Sequence, residues 1–260
     1  TQYHGALLYP GSFSINPFAY CQGLKKHLIE NNVSIFENSP VIQIDDHTII
    51  TPHAKIIADK IIVCIDKDTP DINMLNNDVY HVQTFVTASE PLHPDQIKKM
   101  FPQSPLLVWD TDLIYQYFRI TPDNRLILGG GDLFSTYASE KHNYNRITHK
   151  LCCYFSKYFP DINLKMQYQW PGLIGISKDI APIAGADQDK PHVFYVAASA
   201  GLPIAAMLGA YAVDYLFNKR KDLDDYFSPY RSFPISGWTQ KIIGTKLAFM
   251  ISNVIKQNVP

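Results

Sequence analysis

Residues 193–216 read VFYVAASAGLPIAAMLGAYAVDYL and carry the clearest structural pattern in the chain. Its first part, Val193–Ala198, is apolar, which is typical of a strand buried on both faces of a parallel sheet. After Gly201, apolar and small residues recur at helical spacing as far as Tyr215. Serine, glycine and proline interrupt the stretch, so it predicts a strand, a tight turn and a small-residue helix and not a membrane span.

A second apolar run, Lys60–Ile65, predicts another buried strand of the same kind. Three β-branched runs before it are also expected to form strands, namely Val33–Glu37, Pro40–Ile44 and Thr48–Thr51. The first of these runs follows a helix that should start at Asn16–Pro17, since asparagine caps a helix and proline suits its first position. We therefore expect the run 33–37 to be a buried parallel strand too.

The middle of the chain has the pattern of an antiparallel sheet, with strands expected at Tyr80–Thr87, Leu106–Trp109, Ile114–Ile120 and Arg125–Leu128. Within the third run Tyr115, Tyr117 and Arg119 share one face, because side chains alternate along a strand. The opposite face is apolar and should pack, so these three residues are candidates to line a pocket. A helix over 143–159, a strand Met166–Trp170 and a loop Pro171–Ser177 are expected next.

The tail Trp238–Gln257 is expected to be one amphipathic helix with a basic outer side. Its apolar side, expected to lie against the body of the protein, consists of Ile243, Leu247, Ile251 and Val254. The alternative is contact with a membrane surface or a partner. Because the helix has only three lysines, packing against its own domain is the favoured interpretation.

Composition excludes several classes of protein. The 260 residues are 46% hydrophobic, and 23 Lys and Arg oppose 24 Asp and Glu. This excludes a disordered chain and a strongly basic nucleic-acid binder. The four cysteines, Cys21, Cys64, Cys152 and Cys153, have no CxxC spacing, so we expect reduced thiols and a cytoplasmic location.

The usual catalytic and metal motifs are missing. The nine histidines form no HxH or HExxH pattern, so no metal site is expected. No serine has the GxSxG setting of a hydrolase. The segment Gly129–Asp132 reads as a turn at a strand end, because no periodic helix follows to hold a phosphate.

Several short motifs occur in one order along nearly the whole chain. They are Gly5–Leu7 with Asn16–Tyr20; Val33–Glu37 with Pro40–Val41; Ala58–Cys64; Tyr117–Thr121 with Asp123, Arg125 and Gly129–Gly130; and Trp170–Gly172 with Asp179 and Pro182–Gly185. Together they resemble the FAD-dependent oxidoreductases of the D-amino-acid oxidase, glycine oxidase and sarcosine oxidase superfamily. The resemblance is nearest to the gamma-glutamylputrescine oxidase branch.

This resemblance implies an α/β (α+β) fold: a partial FAD-binding domain with buried parallel strands and an antiparallel substrate domain. It places FAD-binding segments at residues 1–77 and 178–218, the substrate domain at 78–177 and a helical tail at 219–260. It also implies non-covalent FAD and oxidation of an amine or amino acid by hydride transfer to the flavin. The residues expected at the cofactor are Val41, Cys64, Ile65, Gly172, Gly201, Leu202, Pro203 and Ile204. Core packing is the alternative for Val41 and Cys64.

The chain departs from the family pattern in two places. Ala198–Pro203 replaces a GxSGHG segment, which removes two glycines and places Pro203, without an amide hydrogen, at the helix start. Ile174 stands where glycine oxidases carry an arginine for the substrate carboxylate. We therefore expect small-molecule amines to be better substrates than α-amino acids, unless Arg119 binds the carboxylate.

The family's opening GxGxxG turn for the FAD pyrophosphate does not occur among the 13 glycines. Since the start at Thr1 resembles a mid-chain segment, we expect the C-terminal part of a longer flavoprotein with weakened FAD binding. We expect such a fragment to expose apolar surface that the missing strands would cover, and therefore to tend to dimerise or aggregate. Nucleic acid and membrane partners are not expected. The alternative function is a non-catalytic relative that serves as a binding or assembly module.

Overall fold

The computed structural model describes residues 4–112, 114–137, 144–199 and 201–257. The helices are α1 (Pro17–Glu30), α2 (Pro94–Met100), α3 (Leu133–Thr136), α4 (Tyr144–Tyr158), α5 (Leu202–Asn218), α6 (Asp224–Phe227), α7 (Gly237–Ile243) and α8 (Thr245–Gln257), with a 3₁₀ helix at Asp66–Ile72. The strands are β1 (Gln43–Asp45), β2 (Thr48–Ile50), β3 (Lys55–Ile57), β4 (Ile61–Val63), β5 (Tyr80–Pro91), β6 (Val108–Trp109), β7 (Tyr117–Ile120), β8 (Arg125–Gly130), β9 (Met166–Ile176), β10 (Ile183–Ala186) and β11 (Val193–Ala197). Some predictions fall on Thr1–Tyr3, Asn143 and Ala200, which lie outside the described residues.

The chain divides into two compact units. One contains described residues within 1–39, 86–130 and 144–170, and the other contains described residues within 40–85, 131–143 and 171–260. Two of the boundaries, after residues 85 and 170, fall inside β5 and β9. No helix in the described ranges is long and apolar enough to cross a membrane.

The second unit contains a sheet with the strand order β10-β11-β4. Strands β11 and β4 are parallel, with Val193 opposite Ile61 and Tyr195 opposite Val63, which confirms both predicted strands. All of β11 is buried as predicted, whereas the prediction of burial on both faces is wrong for β4, because Ile62 is exposed. One face of β11 packs against α5 through Phe194. The other face belongs to a core cluster that includes Tyr195 and Val63.

A separate antiparallel meander, β1-β2-β3, precedes β4. The second half of the run Pro40–Ile44 and the run Thr48–Thr51 supply its first two strands. β3 was not predicted. The hairpins of this meander are short, and the buried Ile44 of β1 joins the core cluster of β4 and β11.

The remaining strands form a five-stranded sheet in the order β6-β7-β8-β5-β9. The pairs β6–β7 and β7–β8 are antiparallel, as predicted. Phe118 of β7 is buried among the rings of Phe101, Phe155 and Phe159, which confirms the predicted apolar face. The prediction of a loop at 171–177 is wrong, because the strand β9 continues to Ile176.

The first helix forms as predicted, but the strand after it does not. The Asn16 side chain accepts a hydrogen bond from the Ala19 amide, and α1 ends at Glu30. Residues 33–37 form no strand, and Val33, Ile35 and Phe36 are exposed. A β-strand needs a hydrogen-bonding neighbour, and the described chain supplies none for this segment.

The tail also differs from its prediction. Two helices, α7 and α8, replace the single helix, and they are separated at Gly244, whose φ of 85° lies in the left-handed region. The buried face of α8 contains Phe249 and Asn253, whereas Leu247 and Ile251 are exposed. The predicted apolar side was therefore the wrong one for these two residues.

Candidate functional site

The candidate site is the edge of the sheet at which β4 and β11 end. Because the two strands are parallel, the described residues that follow them emerge at the same edge, namely Cys64–Asp66 after β4 and Ala198, Ser199 and Gly201 after β11. In open α/β sheets this edge is where ligands bind. Three of these residues have a positive φ, which is +46° at Asp66, +51° at Ala198 and +118° at Gly201. The chain therefore turns sharply here, before α5 begins.

The amino end of α5 is open at this edge. Gly201 is the N-cap residue, and no side chain caps the helix. The first turn closes when the Ala205 amide donates to the Gly201 carbonyl at 3.0 Å. A Cβ on Gly201 would meet no atom of the described residues within 4 Å. Among these residues, therefore, nothing covers the positive end of the helix dipole, although Pro203 brings no N–H group.

Asp66 is a site residue that the sequence analysis missed. It follows β4 with a φ of +46°, and its Oδ2 accepts a hydrogen bond from the Gly175 amide at 2.7 Å. Its Oδ1 is buried and has no hydrogen-bond partner among the described residues. No periodicity marks this residue, and an acidic residue after a strand reads as an ordinary turn. The contact nevertheless ties the end of β9 to the end of β4.

The other predicted cofactor residues lie as follows. Cys64 and Ile65 are exposed at the edge, and desolvation by the surrounding protein atoms raises the pKa of the Cys64 thiol. Val41 packs against the core cluster of β4 and β11. The Gly172 carbonyl accepts a hydrogen bond from Thr84 Oγ1 at 3.3 Å, and Ile174, two residues further along β9, is exposed.

The predicted pocket residues lie on β7 and just before it. The ring of Tyr117 covers its cross-strand neighbour Gly129 so closely that a Cβ there would lie 1.9 Å from it. Tyr115 lies beside it, with the two ring centroids 5.9 Å apart. Burial, and then Tyr115, raise the pKa of Tyr117, while the Arg119 cation opposes them. The structure thus brings these three residues together on one face.

A buried ion pair lies in the segment between β9 and β10. Arg231 donates to both carboxylate oxygens of Asp179, each at 2.8 Å. It also donates to the Ala181 carbonyl. Desolvation raises the pKa of Asp179, but the hydrogen bonds from Arg231 and Ser177 outweigh it and hold this pKa below its ordinary value. The pair fixes the link between β9 and β10.

Comparison with known proteins supports this description. A family model described as FAD dependent oxidoreductase matches residues 1–215. The chain is 28% identical over 213 residues to the probable oxidoreductase OrdL of Haemophilus influenzae, covering 78% of this chain and 47% of that protein. It is also 28% identical over 181 residues to the gamma-glutamylputrescine oxidoreductase of Escherichia coli, covering 66% of this chain and 40% of that protein. The chain thus spans about half the length of these relatives or less.

Solved structures share the fold. L-Proline dehydrogenase from P. horikoshii matches with a TM-score of 0.70 at 15% identity, covering 82% of this chain and 59% of that one. Glycine oxidase from Geobacillus kaustophilus matches with a TM-score of 0.63 at 17% identity, covering 77% and 54%. With a family match over four fifths of its length and the parallel-strand edge in place, this chain belongs to the DAO family of FAD-dependent oxidoreductases.

Proposed function

We propose that this chain supplies the substrate surface and part of the flavin site of an enzyme that oxidises the C–N bond of an amine or amino acid. The observation that carries the proposal is the open amino end of α5 beside Gly201, at the edge where β4 and β11 end. Bound FAD would supply the hydride acceptor. The chain's own residues would bind and orient the cofactor and the substrate.

The residues at the edge suit part of a flavin nucleotide. The uncapped turn of α5 offers the amides of Leu202 and Ile204 to an electron-rich group, and the free space at Gly201 allows close approach. Pro203 removes one donor from this turn. Cys64 and Ile65 would flank the cofactor with apolar surface. We expect contact with the flavin to be weaker than a complete set of amides would give.

A complete flavin site needs more than these residues. Within the described chain, β4 is the last strand of its sheet, and its outward Ile62 is exposed. The relatives are about twice as long as the matched region. We infer that tight FAD binding requires a further strand beside β4, and that the 260 residues alone bind FAD weakly.

Calorimetric titration of FAD into the 260-residue chain, and into a form extended at its N-terminus, tests both statements. Weak binding by the short form and tight binding by the long form is the expected result. Micromolar or tighter binding by the short form would contradict the need for a further strand. Absence of FAD from both forms would contradict the flavin proposal and favour a non-catalytic binding module, which the lost amide at Pro203 also suggests.

The proposed substrate class depends on which residue could pair with a substrate carboxylate. Ile174 cannot pair with a carboxylate, and leaving such a group buried and unpaired costs several kcal/mol. Amines without an α-carboxylate are therefore the proposed substrates, unless Arg119 supplies the missing cation. Tyr115 and Tyr117 would orient the amine, and desolvation would assist its oxidation.

Anaerobic flavin reduction in the extended form separates these substrates. We expect faster reduction by a polyamine or an N-alkyl amine than by glycine or D-alanine. If glycine reduces the flavin rapidly and Arg119→Ala leaves that rate unchanged, the proposed substrate class is wrong.

A further inference from the structure

We propose that Asp46, His47 and His192 form a binding site for a divalent transition-metal ion such as Zn²⁺. One potential ligand atom from each residue lies within 4.8 Å of the other two. Asp46 and His47 form the turn between β1 and β2, and His192 directly precedes β11. The histidines are far apart in the sequence, so no metal-binding spacing is visible there.

His47 is held in the form that a metal needs. Its Nδ1 lies 2.8 Å from the Ala58 carbonyl. Because a carbonyl only accepts, Nδ1 must carry the proton, and Nε2 of the neutral ring keeps a free lone pair. The Ala58 amide also donates to the His47 carbonyl at 2.9 Å, which fixes the backbone. A histidine whose second nitrogen donates to a carbonyl is the usual arrangement at metal sites.

His192 contributes a buried nitrogen without a partner. The Ile61 amide donates to its carbonyl at 2.9 Å, which anchors the residue to β4. Its Nε2 is buried and makes no hydrogen bond to any described residue, and the nearest carboxylate oxygen is Asp46 Oδ1, 3.5 Å away. An unpaired buried polar atom is costly, and coordination of a metal would satisfy it.

The two imidazoles stack, with their centroids 3.8 Å apart and their planes within 16°. Since Zn–N bonds are about 2.0–2.1 Å, tetrahedral ligand atoms lie roughly 3.3 Å apart. Metal binding must therefore tilt one ring and draw the ligand atoms together, while the exposed Asp46 swings inward. Two imidazoles and one carboxylate suit Zn²⁺ and similar ions, whereas Mg²⁺ and Ca²⁺ prefer oxygen ligands throughout.

The proposed metal would connect two structural elements of the same unit. Asp46 and His47 belong to the meander β1-β2-β3, and His192 belongs to the sheet β10-β11-β4. An ion that binds the folded state and not the unfolded chain stabilises the fold. We therefore assign the site a structural role, separate from the edge where β4 and β11 end.

The test uses ZnCl₂ and the 260-residue chain, with a competing chromophoric chelator to measure affinity. His47→Ala and Asp46→Asn are the primary variants, since both positions lie in a turn and asparagine tolerates the positive φ of Asp46. We expect each to weaken Zn²⁺ binding by about tenfold or more, the scale seen when support of a metal site is lost. His53→Ala, an exposed histidine of the same unit outside the cluster, should leave the affinity unchanged.

Ring-proton NMR signals supply a second measurement. The signals of His47 and His192 should move on addition of Zn²⁺ as the stack opens, while those of His53 stay in place. The proposal would be overturned if the unaltered chain did not bind Zn²⁺. It would also be overturned if His47→Ala and Asp46→Asn bound Zn²⁺ as tightly as His53→Ala and the unaltered chain do.

Discussion

Replacing Asp179 by asparagine should strongly destabilise the protein. The side chains of Asp179 and Arg231 are only 12% and 7% exposed, and the carboxylate accepts two hydrogen bonds from Arg231 and one from Ser177 at 2.6 Å. Asparagine would place an NH₂ group against one of the Arg231 donors and leave a buried guanidinium without its counter-charge. Breaking one side of a buried ion pair costs about 3–5 kcal/mol, which for a chain of this size lowers the melting temperature by roughly 10 °C.

The dependence on pH provides a sharper test. The folded-state pKa of Asp179 is held below its ordinary value, so its stabilising effect is present above the unfolded pKa of about 3.9 and lost as the pH falls through the folded pKa. Urea unfolding followed by circular dichroism should show the full deficit of Asp179→Asn at pH 7 and a shrinking deficit below about pH 4. Asp123→Asn, at an exposed pair with Arg125, is the control. A loss no larger than in this control at pH 7 would refute the reasoning.

Three further changes test other parts of the structure. Asn253→Ala should lower the free energy of unfolding by roughly 2–4 kcal/mol, because it leaves the buried carbonyls of Ser177 and Lys178 without their donor. In the same urea titration Leu247→Ala, at an exposed position, should change this free energy by less than about 0.5 kcal/mol. Gly175→Ala should lower the melting temperature, because its Cβ would lie 2.9 Å from the Asp66 carboxylate, and Asp66→Ala in the same chain should restore part of the loss. Gly201→Ala should cost about 1–3 kcal/mol of backbone strain, because φ of +118° with ψ of 173° is a conformation that essentially only glycine adopts. It should also weaken FAD binding by the extended form more than an alanine at the half-buried Gly209 does.

The parts of the fold that were predicted correctly have strong local patterns. β4 and β11 are short apolar runs, which indicate strands of a parallel pair, and β11 is buried on both faces. The start of α1 depends on the contact between Asn16 and the Ala19 amide, which involves only neighbouring residues. Local signals of this kind need no knowledge of what packs against them.

The errors occur where a distant partner decides the structure. Residues 33–37 have strand composition, but a strand forms only beside another strand. In α8 the polar Asn253 is buried because its amide donates to the carbonyls of Ser177 and Lys178, and its side-chain oxygen accepts from the Tyr137 hydroxyl. The spacing of hydrophobic residues along α8 predicts that a polar residue such as Asn253 faces solvent. Only the distant carbonyls explain its burial.

The candidate site combines both situations. Gly201 and the start of α5 were expected from a recognisable strand–turn–helix pattern, and the parallel pairing brings Cys64 and Ile65 to the same edge. Asp66 carries no such pattern, because its place in the site depends on the Gly175 amide, more than one hundred residues away. Its other carboxylate oxygen, Oδ1, is buried and has no hydrogen-bond partner among the described residues. Because the contact with Gly175 is set by the folded chain and not by neighbouring residues, no motif around Asp66 could reveal it.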